Sequence, residues 1–361
     1  MNKVIVGMSG GVDSSVAAYL LQKEGYEVIG VTSIMYAPNA NIDSLPEVID
    51  AAEVCKHLGI EHHISDMRDV FARNVIAPFV DEYLQGKTPN PCNMCNRHIK
   101  WQALIDYADS HGIRYIATGH YARITQIGDR FTVCNSKTAA KDQTYALCML
   151  TQEQLARTLM PLGDYTKDEI RSIAEELNLP VAHKKDSQDI CFIPDGDYAT
   201  FIDNYIEATY GKNVSTDTDS IPNLPHPGDF IDTSGKVLGT HKGITHYTIG
   251  QRRGLDIPAG KRIFVQSINA SDNTVILGSD EELYTTELIA DHINLMSIDE
   301  ISEPIRAIAK IRYAHKGTPA TIEYEDGLLK IHFDEPVRAI TPGQCVVIYD
   351  NENILGAGII R

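Results

Sequence analysis

Ser9-Gly10-Gly11-Val12-Asp13-Ser14-Ser15 follows the apolar run Lys3 to Met8 and precedes the helix-like run Val16 to Glu24, an order that reads strand, tight turn, helix. Adjacent glycines let the backbone turn through conformations closed to other residues, and they leave consecutive N–H groups facing an anion. The helix that follows aims its positive end at the same place. The turn does not end in Gly-Lys-Ser/Thr, and its glycines lack the spacing of a dinucleotide fold, so neither of those phosphate loops fits.

Working outward, Gly25 is the expected stop of the first helix, and Glu27 to Met35 is a second, nearly continuous apolar strand of the kind a sheet covered on both faces requires. Pro46 to Leu58 reads as helix ending at Gly59, Glu61 to Ser65 as strand, Asp69 to Leu84 as helix and Arg114 to Thr118 as strand. This βαβα alternation predicts an α/β fold with a doubly wound parallel sheet and ligands at the carboxyl ends of its strands. Thr166-Lys167-Asp168-Glu169 is a capping box for a further helix ending before Pro180. From about Asp195 the pattern changes, with Ile206 to Leu224 polar and turn-rich and Gly228 to Gly254 reading as hairpins with little core. Six strand-like runs follow, Thr274 to Gly278, Ile305 to Tyr313, Ala320 to Tyr324, Leu328 to Phe333, Cys345 to Tyr349 and Ile354 to Ile360, and they suggest a small C-terminal β-barrel. The domains expected are 1–195, a mostly β central domain at 196–266, and a barrel at 267–361.

A chain of 361 residues exceeds one compact core, and 43% hydrophobic with 22% charged residues is a globular balance. No basic leader and no run of about 18 uncharged apolar residues is present, so a soluble cytoplasmic protein is expected, with no membrane partner. Seven cysteines without a secretory signal argue for reduced thiols, some of them chemical. A net charge of −17 argues against nonspecific nucleic-acid binding, so an RNA partner needs a local basic face. Arg97 with Lys100, Arg252 with Arg253, and Lys310, Arg312 and Lys316 are the candidates.

Thr88-Pro89-Asn90-Pro91-Cys92-Asn93-Met94-Cys95-Asn96-Arg97 reads as a proline-containing loop and then a helix to about His111. Cys95 would stand at that helix's N-terminus near Arg97 and Lys100, where a thiolate is favoured and the pKa falls. Cys92 and Cys95 have the C-x-x-C spacing of zinc ligands or of a redox pair, and the second pair a structural zinc site wants is missing. Cys191, just after the polar stretch Asp186 to Asp189, is placed for access, whereas Cys55, Cys134, Cys148 and Cys345 lie in apolar runs and read as buried. Met35 is either a core residue or a wall for an adenine. Lys141-Asp142-Gln143 is a polar trio ahead of a helix, either solvated surface or a binding site.

The Gly-Gly loop resembles the pyrophosphate-binding loop of the ATP-pyrophosphatase (PP-loop) superfamily. Five strings, Gly7 to Ser15, Thr88 to Arg97, Thr118 to Arg123, Asp186 to Ile193 and Thr248 to Leu255, with Pro342-Gly343-Gln344, together resemble the tRNA-specific 2-thiouridylase family along the whole chain. The resemblance implies an ATP site at Gly7, Met8, Ser9, Gly10, Gly11, Val12, Asp13 and Ser14, with Met35 and Gly119 on the adenosine side. It places Asn90, Pro91 and Cys92 by the target base. His120, Lys141, Asp142, Gln143, Arg312, Tyr313 and Gln344 would contact tRNA. Cys191 would carry a persulfide and Cys95 would be its partner nucleophile. ATP and Mg2+ are the implied cofactors. The implied partners are tRNA with uridine at the wobble position, a persulfide donor (a cysteine desulfurase or a sulfur-carrier protein), and a reductant for a Cys95–Cys191 disulfide. Many members have aspartate where this chain has Cys92, so Cys92, Cys95 and Cys191 are also candidate ligands of a [4Fe-4S] cluster. Rival readings are a different adenylating ligase of the superfamily, or a noncatalytic tRNA-binding or nucleotide-sensing module.

Overall fold

A computed structural model describes residues 2–38, 40–138, 142–184, 190–211, 225–258, 260 and 262–361. The first unit runs β1 (Lys3–Gly7), α1 (Val12–Lys23), β2 (Glu27–Ile34), α2 (Pro46–Leu58), β3 (Glu61–Asp66), α3 (Arg68–Phe71) and α4 (Ala77–Leu84). It continues through α5 (Pro91–Cys95), α6 (Trp101–Ser110), β4 (Tyr115–Ala117), the hairpin β5 (Arg123–Ile127) and β6 (Arg130–Cys134), α7 (Thr144–Leu147), α8 (Gln152–Ala156), β7 (Thr158–Leu159), α9 (Lys167–Glu176) and α10 (Tyr198–Tyr210). Five strands form a parallel sheet in the order β3-β2-β1-β4-β7. Val4, Ile5 and Val6 of β1 are all fully buried, because helices cover both faces. The chain winds from β1 outward to β3 and then returns to β4 on the other side of β1. The crevice between the ends of β1 and β4 is therefore the switch point where such sheets hold ligands.

Local signals account for much of this unit. Gly59 ends α2 with φ +69, and Thr166 and Glu169 make the reciprocal capping bonds that start α9. One stretch differs from expectation: the chain is helical from Tyr198 to Tyr210, capped by the Asp197 side chain, so the first five residues of the supposed turn-rich run, Ile206 to Tyr210, are helix. Phe201, Ile202, Tyr205 and Ile206 recur at helical spacing and pack beside Phe79, Val80 and Phe192, which decides the matter. Residues 212–224 lie outside the described residues.

The central sheet has the order β10-β11-β8-β9, from β8 (Gly228–Asp232), β9 (Val237–His241), β10 (Phe264–Asn269) and β11 (Thr274–Gly278). It has its own core of Phe230, Tyr247, Leu255, Val265, Val275 and Leu277, more than the sequence led us to expect. Thr274–Gly278, expected to open the barrel, pairs instead with β10 and β8. The expected division at 266/267 would cut through β10, and the pairing favours one between Gly278 and Tyr284.

The barrel closes six strands in the order β12-β15-β14-β13-β16-β17, with β12 pairing back to β17. They are β12 (Tyr284–Leu295), β13 (Ile305–Lys310), β14 (Thr318–Glu325), β15 (Leu328–Arg338), β16 (Cys345–Asp350) and β17 (Asn353–Ile360). Closure leaves the barrel proper without a free edge. The β5–β6 hairpin of the first unit docks on it through an Asn353–Cys134 pairing, and the Arg130 guanidinium donates to the Met296 and Leu295 carbonyls and to Asp299. The first unit and the barrel thus share an interface.

Candidate active site

Gly10 turns the chain with φ +67, and a Cβ there would lie 2.6 Å from the Glu47 carbonyl, so glycine is required on both counts. Inside the turn, Ser9 N–H donates to Ser14 Oγ at 3.2 Å, while Ser14 and Ser15 hydroxyls donate to the Gly11 carbonyl at 3.2 and 2.7 Å. Gly11 caps α1 without a side-chain bond, leaving the first-turn N–H groups open to an anion. Met8 and Val12 point into the core and set the loop's height, and Gly7 lets Leu104 approach. A Cβ on Gly119, at the end of β4, would lie 2.7 Å from Ser14 N, so the two sides of the crevice touch backbone to backbone.

Two lysines stand at this loop that the sequence reading did not single out. Lys167 Nζ bonds both Asp13 oxygens, at 2.8 and 2.9 Å, and the Tyr121 hydroxyl donates to the same carboxylate. Lys184 Nζ donates to the Gly10 carbonyl at 2.9 Å and pairs with Asp50. Neither had a local signal: Lys167 reads only as the first residue of a capped helix, and both reach the loop across more than 150 residues.

The cysteine helix differs from the expected loop. Pro91 opens α5, with the Asn90 side chain accepting from Cys92 N–H, so Cys95 is already the fifth helical residue. The helix continues through a π-helical turn, Asn96–Lys100, into α6. Cys95 is buried, its thiol donating to Met35 Sδ at 3.6 Å. The expected fall in its pKa is overturned: burial pushes the Cys95 thiol up to about 12, outweighing the pull of Lys100. Partial desolvation by neighbouring atoms also raises the thiol pKa of the otherwise exposed Cys92 and Cys191, again against Lys100. Met35 belongs to the cluster that holds Cys95, with its sulfur on the thiol.

Cys191 is exposed, and its neighbour Phe192 is not. The Phe192 ring meets Phe71, Phe79, Phe201 and Tyr36 at 5.1 to 6.1 Å, in the cluster that also contains Cys95. Cys95 lies within the electrostatic reach of Cys92, Cys191 and Lys100. Among the described residues no three His, Cys, Asp or Glu side chains are arranged to hold a metal ion.

The tRNA candidates fall in two places. His120 joins the cysteine side, its ring tilted against Trp101 at 5.4 Å and hydrogen-bonded with Thr118, and desolvation drives its pKa down to about 3. Asp142, Gln143 and Tyr313 come together: Tyr313 OH donates to the Asp142 carbonyl, Gln143 Oε1 accepts from Tyr121 N–H, and Lys310 lies over the exposed Tyr313 ring. The Asp142 carboxylate accepts from Ser136 and Thr144, so it shapes its own loop. Arg312 donates to the Arg338 and Ala339 carbonyls on the barrel. Gln344 Nε2 donates to the Thr88 carbonyl, tying the barrel to the residues ahead of Pro91. Lys141 and Asp186 to Asp189 lie outside the described residues. No helix among the described residues is long and apolar enough to cross a membrane.

Three family models of one kind of tRNA-modifying protein match in succession: the tRNA methyl transferase HUP domain over residues 2–195, its PRC-barrel domain over 218–279, and the aminomethyltransferase beta-barrel domain over 285–360. The class is thus a nucleotide-binding α/β domain carrying two β domains. The tRNA-specific 2-thiouridylase MnmA of Clostridioides difficile is 49% identical over 368 residues, covering 99% of this chain and 98% of the relative. Those of Clostridium perfringens and Acetivibrio thermocellus are 47% and 48% identical over 99% of this chain, covering 98% and 99% of the relatives. The chain belongs to the tRNA-specific 2-thiouridylase family, enzymes that transfer sulfur to tRNA.

Proposed function

We propose that the protein makes 2-thiouridine at the wobble position of tRNA by adenylating the uracil C2 oxygen and replacing it with sulfur from Cys191. The observation that supports this is the placing of Cys92, Cys95, Cys191 and His120 within reach of the Lys100 charge, with Cys95 on Met35 at the end of β2 and His120 next to Gly119, whose backbone abuts Ser14 of the loop. Oxide is a hopeless leaving group, and adenylation converts it into AMP. The loop N–H groups and Lys167 would receive the pyrophosphate of ATP, with Mg2+ entering on the phosphates. His120, neutral at physiological pH, would face the base as a hydrogen-bonding group beside Asn90 and Pro91.

A cysteine desulfurase or sulfur-carrier protein loads the exposed Cys191 as a persulfide anion. Cys95 is held as a thiol by burial, and its proton passes to the terminal persulfide sulfur as Cys95 Sγ bonds Cys191 Sγ. The old S–S bond breaks, HS− leaves, and the charge of −1 is conserved. The sulfane sulfur is reduced to sulfide while the two cysteines become a disulfide, which a thiol reductant later resets. HS− adds at the activated C2, AMP departs, and the S–H proton returns to the ring nitrogen. Asp142, Gln143, Arg312, Tyr313 and Gln344 would hold the tRNA across the catalytic unit and the barrel.

Single-turnover mass analysis of tRNA nucleosides, with ATP, Mg2+, a desulfurase and cysteine, tests this reading. Cys191→Ser is expected to abolish 2-thiouridine while pyrophosphate release continues. Undiminished thiolation by Cys191→Ser would refute the route.

A further inference from the structure

The cysteine helix is not a plain α-helix: between Asn96 and Lys100 it takes a π-turn, closed by Trp101 N–H donating to the Asn96 carbonyl. A π-turn uses one residue more than an α-turn, so a residue five positions on returns over the same face. That register brings Lys100 back toward the face of Cys95, from which a regular α-helix would turn it by about 140°. The extra residue is held in place by its neighbours. Asn93 and Asn96 are buried, with Asn93 Nδ2 donating to Cys345 Sγ at 2.8 Å and Asn96 Nδ2 to the Ala146 carbonyl at 2.8 Å, and Trp101 Nε1 donates to Thr158 Oγ1.

Four groups from three parts of the chain gather on this face. Cys92 and Cys95 come from the helix, Cys191 from the loop behind Phe192, and His120 from the end of β4. Each of them feels the Lys100 charge, and in every thiol it is the only favourable charge acting against burial. No carboxylate among the described residues forms an ion pair with Lys100.

We propose that Lys100 is the cation that holds the migrating sulfur anion, first as the Cys191 persulfide and then as the HS− released when Cys95 closes the disulfide. This rests on the persulfide route proposed above and adds a residue to it. Throughout that step one negative charge moves between sulfur atoms, from the exposed Cys191 toward the buried Cys95, where desolvation disfavours a thiolate. A preorganised ammonium there stabilises both ends of the step without accepting or giving a proton. Adenylation, whose charge develops at the Ser9–Ser14 loop, needs no such cation at Lys100.

Single-turnover assays on the full-length protein with transcript tRNA, ATP, Mg2+, desulfurase and cysteine separate the steps. Lys100→Met keeps the length of the side chain and removes the charge, and Lys100→Arg restores the charge. Expected for Lys100→Met are pyrophosphate release and persulfide loading within about twofold of wild type and 2-thiouridine formation slower by roughly tenfold or more. Lys100→Arg should recover most of that rate. Wild-type thiolation by Lys100→Met, parallel loss of pyrophosphate release, or failure of Lys100→Arg to recover would each overturn the assignment. Cys191→Ser run alongside keeps the two readings apart: thiolation persisting there removes the persulfide route itself, whereas dependence on Cys191 with a silent Lys100→Met removes only Lys100.

Discussion

Gly119→Ala should weaken ATP binding from the far side of the crevice. The added Cβ would lie 2.7 Å from Ser14 N, 2.8 Å from the Asp13 carbonyl carbon and 3.0 Å from Ser14 Cα, where ordinary contact begins at 3.4 Å. All three are backbone atoms, so no rotamer change relieves the clash, and the end of β4 must part from the start of α1 by about 0.7 Å. A shift of that size takes an N–H···phosphate bond of about 2.9 Å beyond useful length. Losing one or two charge-assisted bonds, at about 1.5 kcal/mol each, lowers ATP affinity by roughly ten- to a hundredfold. Overpacking adds a stability loss of about 1–3 kcal/mol. The assay is pyrophosphate release against ATP concentration, with tRNA binding measured in parallel. The KM for ATP should rise while tRNA affinity holds. Gly128→Ala, at φ +62 with nothing within 4 Å, is the control that carries backbone strain without a clash. A KM for ATP within twofold of wild type in folded Gly119→Ala would refute the reasoning.

Lys167→Met leaves Asp13 without its cation in a site where the lysine is only 11% exposed, and should cost about 1–2 kcal/mol in chemical denaturation together with slower pyrophosphate release; unchanged stability would contradict the pairing. Cys95, raised by burial to about 12, favours the folded state below its unfolded value of 9.0 and loses that contribution as pH climbs toward 12. Its alkylation by iodoacetamide in the native protein should therefore rise about tenfold per pH unit from pH 7 to 9.5 without a plateau, and a plateau in that window would show an unshifted thiol. Arg130→Ala removes three bonds between the hairpin and the barrel and should lower stability by about 2–3 kcal/mol, and denaturation curves matching wild type would show the interface to be idle.

Signals that act within a few residues were legible in the chain. The Gly10-Gly11 turn, the Gly59 stop and the Thr166 capping box follow from backbone chemistry at single positions. So did the burial of Cys55, Cys134, Cys148 and Cys345, because each lies in an apolar run. The first barrel strand, Tyr284–Leu295, was hidden by its polar residues, since most of its length is partly exposed and only Leu288 and Ala290 are fully buried. Thr274–Gly278 looks like any barrel strand, and only its partners assign it to the central sheet.

At the site the division is sharper. A glycine loop announces an anion, but which cations face it depends on residues 154 and 174 positions away, and distance in sequence carries no such information. A cysteine near a helix start, with two basic neighbours, predicts a low pKa, because sequence shows the charges and not the solvent. Only the packing of Met35, Ile99 and Phe192 around Cys95 removes the water that would stabilise a thiolate, and desolvation then outweighs the nearby charge. The sequence by itself determined which chemical groups this protein has and where its backbone turns. Tertiary structure alone decided which of them meet and which lose their water, because burial and long-range contact are properties of the packed chain.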